Sequence, residues 1–210
     1  MQGRFITFEG GEGAGKSTQI AQLTQSLQAH GVKVLCTREP GGCPISERIR
    51  EILVTGQGDD LDGTSELLLI LAARHEHIRQ VIRPALASGH WVLCDRFEDS
   101  TLAYQGGGRG GDGPWLRQLG QWIRGDVFPD LTLLLDLDPT VGLARSKRRG
   151  GQEQRFEQEA LSFHQQVRQA FLQMAQQEPQ RMIPIDADQP VQMVAATIWR
   201  EVEGRFFVSF

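Results

Sequence analysis

Short apolar runs alternate along the chain with longer segments in which apolar residues recur every three or four positions. The short runs predict strands, and the longer periodic segments predict helices. Strands are predicted at residues 4–9, 32–37, 91–95, 131–136 and 182–186. Helices are predicted at residues 16–29, 44–54, 64–87, 98–105, 114–124, 139–148, 155–176 and 190–203. This alternation predicts an α/β fold whose five-stranded parallel sheet is flanked by helices.

The length and charge of the chain narrow the classes of function. Its 210 residues predict a single domain, and 26 acidic against 22 basic residues argue against a nucleic-acid partner. The N-terminus enters the first predicted strand without a signal-peptide pattern, and the longest apolar stretch, 67–73, is too short to span a bilayer. We therefore expect a cytoplasmic protein with no membrane partner.

The cysteines and two glycine-rich segments add less specific information. Cys36, Cys43 and Cys94 form no C-x-x-C pair, and two of them fall on predicted buried strands, so we interpret them as reduced residues. Residues 106–113 and 150–151 are rich in glycine and follow predicted helices. We interpret both as loops that can move.

The segment between the first predicted strand and helix matches the phosphate-binding pattern G-x-x-x-x-G-K-[ST]. Glycines let successive backbone N–H groups converge on an anion, and the helix N-terminus adds the positive end of its dipole. The lysine of this pattern reaches the β- and γ-phosphates, and its serine hydroxyl binds Mg²⁺. The candidate nucleotide-binding residues are Gly10, Gly11, Glu12, Gly13, Ala14, Gly15, Lys16, Ser17 and Thr18.

Charged residues follow two of the other predicted strands. Arg38 comes after the second strand and Arg96 after the third, with Asp95 directly before Arg96. Ligands collect beyond the carboxyl ends of the strands in an open parallel sheet, so these residues are predicted to share a crevice with the phosphate loop. A lone arginine at a strand end is more often a surface residue, but two beside a phosphate loop favour an anionic second substrate. Asp95 and Ser17 are the candidate metal-binding residues.

A basic cluster near the end of the 139–148 helix is interpreted as part of a lid over residues 142–156. A solvated helix face is the alternative interpretation. The phosphate loop carries no arginine, so charge on a transferring phosphoryl group must be neutralised from elsewhere, and such an arginine increases the rate about 10³–10⁵-fold. The basic residues are Arg145, Lys147, Arg148, Arg149 and, just beyond, Arg155.

These segments, in this order and spacing, resemble the thymidylate kinase family over nearly the whole chain. The distinctive parts are residues 8–19, 37–42, 72–74 with 82–86, 95–96 with 100–109, and 129–132. The resemblance implies a P-loop kinase fold, transfer of the γ-phosphoryl group of ATP to dTMP in dTTP biosynthesis, and Mg²⁺ as cofactor. It also implies a homodimer, and the arginine-rich lid resembles the bacterial branch of the family.

The resemblance further implies roles in binding dTMP. Arg38 and Arg96 would hold its phosphate, and Arg74 would reach the thymine O4. Thr101, with Ser100, would reach the thymine edge, Tyr104 would pack against the deoxyribose, and Glu12 would accept from the 3′-hydroxyl. Gln105 is a further candidate substrate-binding residue.

Donor-side and catalytic roles follow from the same resemblance. Arg145 would lie in the adenine pocket with residues 187–189. No general base is predicted, because a nucleoside monophosphate is already anionic at neutral pH. The expected catalytic residues are Lys16, Asp95, Arg96, Arg149 and Arg155.

Two positions depart from the family pattern and leave alternatives open. Ile70 stands where a phenylalanine commonly stacks on thymine, and Cys43 stands where a threonine is usual. Ile70 keeps open a nucleoside monophosphate kinase of broader or different base preference. A P-loop switch ATPase is the third alternative, but the chain has no N-K-x-D guanine-reading motif and carries acceptor-side arginines that a switch does not need.

Overall fold

The computed structural model describes residues 2–54, 61–149 and 155–207. In this part of the chain, five parallel strands form one sheet in the order β2-β3-β1-β4-β5. The strands are β1 (Arg4–Glu9), β2 (Val34–Arg38), β3 (Trp91–Asp95), β4 (Leu131–Asp136) and β5 (Met182–Asp186). The predicted fold class and all five strands are confirmed.

Helices cover both faces of the sheet. They are α1 (Lys16–Ala29), α2 (Pro44–Val54), α3 (Gly63–His77), α4 (Arg83–Ala87), α5 (Glu98–Thr101), α6 (Gly113–Arg124), α7 (Pro139–Arg149), α8 (Leu161–Gln177) and α9 (Val191–Phe206). Two π-helical turns, Ile78–Ile82 and Leu102–Gly108, continue α3 and α5. No helix of the described residues has the length and apolarity needed to cross a membrane.

The central strands read as continuous apolar runs because both of their faces are covered. On one face, Ile6 and Phe8 of β1 pack with Leu23 and Leu27 of α1. On the other face, Phe5 belongs to a separate cluster with Val92 and Phe97. The carboxyl ends of β1, β2 and β3 therefore lie side by side, in the register Phe8–Asp95 and Arg38–Asp95.

Several predicted bounds were wrong, each for a local reason. The predicted 64–87 and 98–105 helices contain π-helical turns, which sequence periodicity does not distinguish from α-helix. The predicted 155–176 helix begins only at Leu161, after a turn and an extended Ala160. The predicted strand at 32–37 begins at Val34, and because β2 is an edge strand, Cys36 is exposed rather than buried.

The glycine-rich segment predicted as a mobile loop at 106–113 also differs from expectation. Its first three glycines complete a π-helical turn that packs on α8. A Cβ at Gly107 would lie 2.5 Å from the Ala170 side chain, and one at Gly108 would lie 2.5 Å from the Phe163 ring. These glycines therefore allow close helix packing. Residues 150 and 151, the second predicted loop, lie outside the described residues.

Candidate active site

The phosphate loop joins β1 to α1, and three of its glycines adopt backbone conformations that side chains disfavour. Gly10, Gly13 and Gly15 have φ angles of 134°, 67° and 91°. Lys16 is buried, and its Nζ donates to the Gly11 carbonyl at 2.9 Å and to the Gly10 carbonyl at 3.3 Å. Burial, and after it Arg96, lower the pKa of Lys16. The loop carbonyls therefore hold the Lys16 ammonium group beside the phosphate loop. The sequence pattern predicts that this group contacts the β- and γ-phosphates.

A cavity of about 690 Å³ opens beside this loop. It brings together most of the residues predicted from the sequence: Glu12, Gly13, Ala14, Gly15, Lys16, Ser17, Thr18, Arg38, Ile70, Arg74, Asp95, Arg96, Ser100, Thr101, Tyr104 and Gln105. Gly10 and Gly11 lie behind it, with their carbonyls turned toward Lys16. The volume is within the range of small-molecule sites.

Arg96, Glu12 and Tyr104 form one hydrogen-bonded unit on the cavity wall. Oε1 of Glu12 accepts from Nη2 of Arg96 at 2.7 Å and from the Tyr104 hydroxyl at 2.9 Å. The Arg96 guanidinium also lies 5.0 Å from the Tyr104 ring centroid. Burial opposes ionisation of Glu12, but Arg96 and Lys16 outweigh it and lower its pKa to about 2. The carboxyl of Glu12 is therefore ionised at neutral pH.

Ser17 and Asp95 place two oxygen ligands together at the loop. The Ser17 hydroxyl donates to Oδ2 of Asp95 at 3.1 Å. A hydroxyl and a carboxylate are the oxygen ligands that Mg²⁺ prefers, and Mg²⁺ needs few protein ligands because it keeps its waters and binds phosphates. The pair fits that cation. Among the described residues no group of three or more acidic, histidine or cysteine side chains gathers into a metal cage.

Arg74 is buried at the opposite wall of the cavity, at 2% exposure. Its Nε donates to Oε2 of Glu39 at 2.7 Å, and its Nη2 donates to the Phe97 carbonyl at 3.0 Å and to Oγ1 of Thr101 at 2.9 Å. Its Nη1 has no hydrogen-bond partner within the described residues. A guanidinium has five N–H donors, so the two on Nη1 are buried without an acceptor among the described residues.

The other predicted acceptor residues lie between these groups. Arg38 lines the cavity with an exposed side chain that is paired with Glu47 at 2.9 Å. Ser100 accepts from Nη1 of Arg96 at 3.3 Å. Gln105 donates to Glu66 at 2.8 Å. The cavity is thus lined by Lys16, Arg38 and Arg96 as well as by Arg74.

Comparisons with known proteins agree with this geometry. The thymidylate kinase family profile matches residues 8–198. The chain is 52% identical over 198 residues to a thymidylate kinase of Pseudomonas putida, covering 94% of both chains. It is 50% identical over 204 residues to the Deinococcus radiodurans thymidylate kinase, covering 97% of this chain and 98% of the relative.

A crystal structure of thymidylate kinase from Ehrlichia chaffeensis has the same fold, with a TM-score of 0.80 and 34% identity over 96% of this chain and all of that one. The chain belongs to the thymidylate kinase family. It is a dTMP kinase, which transfers the γ-phosphoryl group of ATP to dTMP to give dTDP and ADP in dTTP biosynthesis.

The basic residues assigned to the lid of this dTMP kinase lie in different places. Arg145 donates to the Ala187 carbonyl at 3.1 Å and to Asp188 at 2.8 Å, so it does meet the loop predicted to hold adenine. Arg155 is not one of the cavity-lining residues and forms an ion pair with buried Glu66 at 2.7 Å. The side chain of Arg149 lies outside the described residues. Arg145 therefore lies beside the 187–189 loop, as the sequence interpretation expected, and the catalytic roles of Arg149 and Arg155 stay predictions.

Sequence reasoning missed several residues at the site of this kinase. Glu39 lines the cavity beside Arg74, and Phe156 lines it with its ring centroid 5.7 Å from that of Tyr104. Glu9 is fully buried behind the cavity, where it accepts from the Phe97 N–H at 2.7 Å and from the Ser100 hydroxyl at 2.6 Å. Burial, and then Asp99, raise the pKa of Glu9 to about 8. A glutamate ending the apolar run of β1 was the available signal for Glu9.

Proposed function

We propose that residues 1–210 form one catalytic unit whose cavity binds ATP on the phosphate loop and dTMP between Arg96 and Arg74. The observation that carries this arrangement is the pair of unpartnered N–H groups on Nη1 of Arg74. A buried donor without an acceptor costs about 1–3 kcal/mol, and a carbonyl oxygen on a bound base would remove that cost. Thymine presents a carbonyl at position 4, whereas cytosine presents an amino group there.

In this arrangement the acceptor nucleotide is held along its whole length. Ile70 packs on the base, Thr101 and Gln105 lie near its edge, and Tyr104 packs on the sugar. Tyr104 donates its hydroxyl to Glu12, which fixes its ring. Glu12, ionised at neutral pH, is able to accept a hydrogen bond from the 3′-hydroxyl as well.

The phosphate groups of the two substrates meet beside Arg96. Arg38 and Arg96 hold the phosphate of dTMP, and Lys16 holds the β- and γ-phosphates of ATP. The attacking oxygen is already anionic at neutral pH because the second pKa of a phosphate monoester is about 6. These residues therefore align two anions and neutralise their charge, and no general base is needed.

Ser17 and Asp95 are the residues that would hold Mg²⁺, which when bound neutralises charge on phosphate oxygens. Thr18 adds the second hydroxyl of the loop. Arg145 contributes to the adenine pocket through its contact with the 187–189 loop. Catalytic roles for Arg149 and Arg155 stay predictions, and Arg155 must leave Glu66 if it is to reach a phosphate.

A panel of monophosphates tests this function against the alternative of a broader base preference. We expect the protein with ATP and Mg²⁺ to convert dTMP much faster than dCMP, dGMP or dAMP, with ADP formed in equal amount. Equal turnover of dTMP and dCMP would contradict the reading of position 4 by Arg74. ATP hydrolysis that no monophosphate accelerates would favour a switch ATPase.

We propose in addition that two copies of the chain pair through α3 and α6. Leu68 of α3 is 58% exposed, and Trp115 and Trp122 of α6 are 47% and 80% exposed. The two tryptophans are seven residues apart and so share one helix face. We expect sedimentation to show a dimer that Trp122→Lys converts to monomers, with Met193→Lys on α9 as control. A native protein that sediments as a monomer would contradict this pairing.

The cytoplasmic location of the protein stays a prediction.

A further inference from the structure

Arg74 is held by a row of buried polar side chains that begins with Glu39 at the cavity wall. Glu39 stands at its centre, with Oε2 accepting from Nε of Arg74 at 2.7 Å and Oε1 lying 2.9 Å from Nδ1 of His77. Nε2 of His77 lies 2.6 Å from Oγ1 of Thr37. Arg74, Glu39 and His77 are all nearly inaccessible to solvent, at 2%, 5% and 0% exposure.

The charge of Glu39 determines which group donates in its hydrogen bonds with Arg74 and His77. Burial opposes ionisation of Glu39, but Arg74 and then His77 outweigh it and lower its pKa. An ionised carboxylate only accepts, so His77 donates from Nδ1. The Glu39 carboxylate therefore accepts from two side chains of α3: the guanidinium of Arg74 and, about one helical turn later, the imidazole of His77.

Gly42 and Phe97 pack closely against these buried side chains. Gly42 has a φ of 85°, and a Cβ added there would collide with the His77 ring and with Oγ1 of Thr37. On the other side, the Arg74 guanidinium lies 5.2 Å from the centroid of the buried Phe97 ring. Gly42 therefore packs at the His77 end of this row of side chains, and the Phe97 ring packs at the Arg74 end.

We propose that Glu39 and His77 are positioning residues that aim Nη1 of Arg74 at the base of the acceptor nucleotide. The proposal rests on the base-reading role of Arg74 proposed above. A guanidinium with three of its donors occupied has one orientation, and that orientation sets the direction of the two N–H groups on Nη1, which have no partner among the described residues. Removing one of the hydrogen bonds of Glu39 leaves the charge of Arg74 in place but lets its guanidinium adopt other orientations. The discrimination between a base with a carbonyl and a base with an amino group at position 4 then becomes weaker.

Steady-state kinetics with Glu39→Gln and His77→Gln test the proposal, with His75→Gln, an exposed histidine on the same helix, as matched control. Either variant removes a hydrogen bond to a charged group, so we expect the KM for dTMP to rise on the order of ten-fold. The KM for ATP should stay the same and kcat should change little. The preference for dTMP over dCMP should fall, whereas the preference for dTMP over dUMP, which has the same carbonyl, should not.

A double-variant cycle separates positioning from general damage to the fold. Arg74→Met removes the guanidinium that is proposed to contact the base. The double variant Arg74→Met/Glu39→Gln should therefore have the same KM for dTMP as Arg74→Met alone, within about two-fold. If the effects of Arg74→Met and Glu39→Gln on the KM for dTMP multiply in the double variant, the proposal is overturned. It is also overturned if Glu39→Gln and His77→Gln behave like His75→Gln. If Glu39→Gln does not fold, judged by thermal unfolding, His77→Gln and its combination with Arg74→Met carry the same test.

The outcome for Arg74→Met alone distinguishes the two proposals. If it leaves the dTMP-over-dCMP preference intact, the reading role of Arg74 fails and the positioning proposal fails with it. If it abolishes that preference while Glu39→Gln and His77→Gln retain it, only the positioning proposal is overturned.

Discussion

Arg96 is the one described residue other than glycine whose backbone is left-handed, with a φ of 69°. Residues in this region cost about 1–3 kcal/mol and persist where the surrounding structure over-determines them. Here the Arg96 N–H donates to the Phe8 carbonyl at 2.9 Å, and its side chain reaches the Gly10 carbonyl at 2.9 Å and Glu12 at 2.7 Å. The strained backbone turns the guanidinium from the end of β3 back over the phosphate loop.

Ile70 gives the sharpest prediction at the level of one side chain. It lines the cavity one helical turn before Arg74, at the place where we propose that the base packs. An aromatic ring would add about 0.5–1.5 kcal/mol of stacking, so Ile70→Phe should lower the KM for dTMP about 2- to 12-fold. The KM for ATP should not change.

The control for Ile70→Phe is Met193→Phe, which adds the same ring at an exposed position of α9. A higher KM for dTMP in Ile70→Phe would mean that the ring does not fit over the base. Initial rates at saturating ATP are sufficient for the comparison.

Among the individual residues, strand ends and motifs were the parts that the sequence could predict. Arg38, Asp95 and Arg96 were placed correctly because parallel strands end at one edge of the sheet. Glu39 and His77 were missed because their roles depend on a contact between β2 and α3 that no local pattern encodes. The catalytic role of Arg155 was expected from the family resemblance and stays a prediction, and in the structure this arginine pairs with Glu66.

At the scale of elements, the phosphate loop and α7 touch backbone to backbone. A Cβ at Gly142 would collide with the Glu12 carbonyl, and a Cβ at Gly13 would collide with the Gly142 carbonyl. The helix that leads to the lid segment therefore rests directly on the loop that is predicted to bind ATP. A displacement of α7 at this point is therefore expected to move the loop.

Gly142→Ala tests this contact. Because the added methyl group must push the Glu12 backbone aside, we expect kcat/KM for both substrates to fall at least ten-fold, since misplacing reacting groups by about 1 Å costs on the order of 100-fold. Gly204→Ala is the matched control, as a Cβ at Gly204 on α9 meets nothing within 4 Å. Activity like that of the control would show that α7 yields without disturbing the loop.

The elements also show where periodicity fails as a predictor. The apolar repeats in α3 and α5 continue into the π-helical turns, which differ only by one extra residue in a turn. The second of these turns ends in three glycines, a composition that indicates a loop until the close packing on α8 is seen. Packing across the molecule, not local propensity, determines those segments.

At the scale of the whole molecule, Glu9 makes stability depend on pH in an unusual direction. Most native carboxyl groups stabilise a protein as pH rises, but the pKa of Glu9 is raised from 4.5 to about 8 by burial and then by Asp99. Between these two values the folded protein holds a proton that the unfolded chain has lost. The contribution of Glu9 is therefore fully present below pH 4.5 and is lost as pH rises toward 8.

Urea unfolding of the native protein and of Glu9→Gln at pH 5, 6, 7 and 8 measures this contribution. The difference in unfolding free energy between them should move in favour of Glu9→Gln as pH rises, by at most about 1.4 kcal/mol per pH unit. Comparing variants cancels the titration of other groups such as His164, whose pKa burial lowers. The exposed Glu203→Gln is the control and should give a flat difference. A flat difference for Glu9→Gln as well would mean that Glu9 stays ionised beneath the site, with Arg96 outweighing its burial.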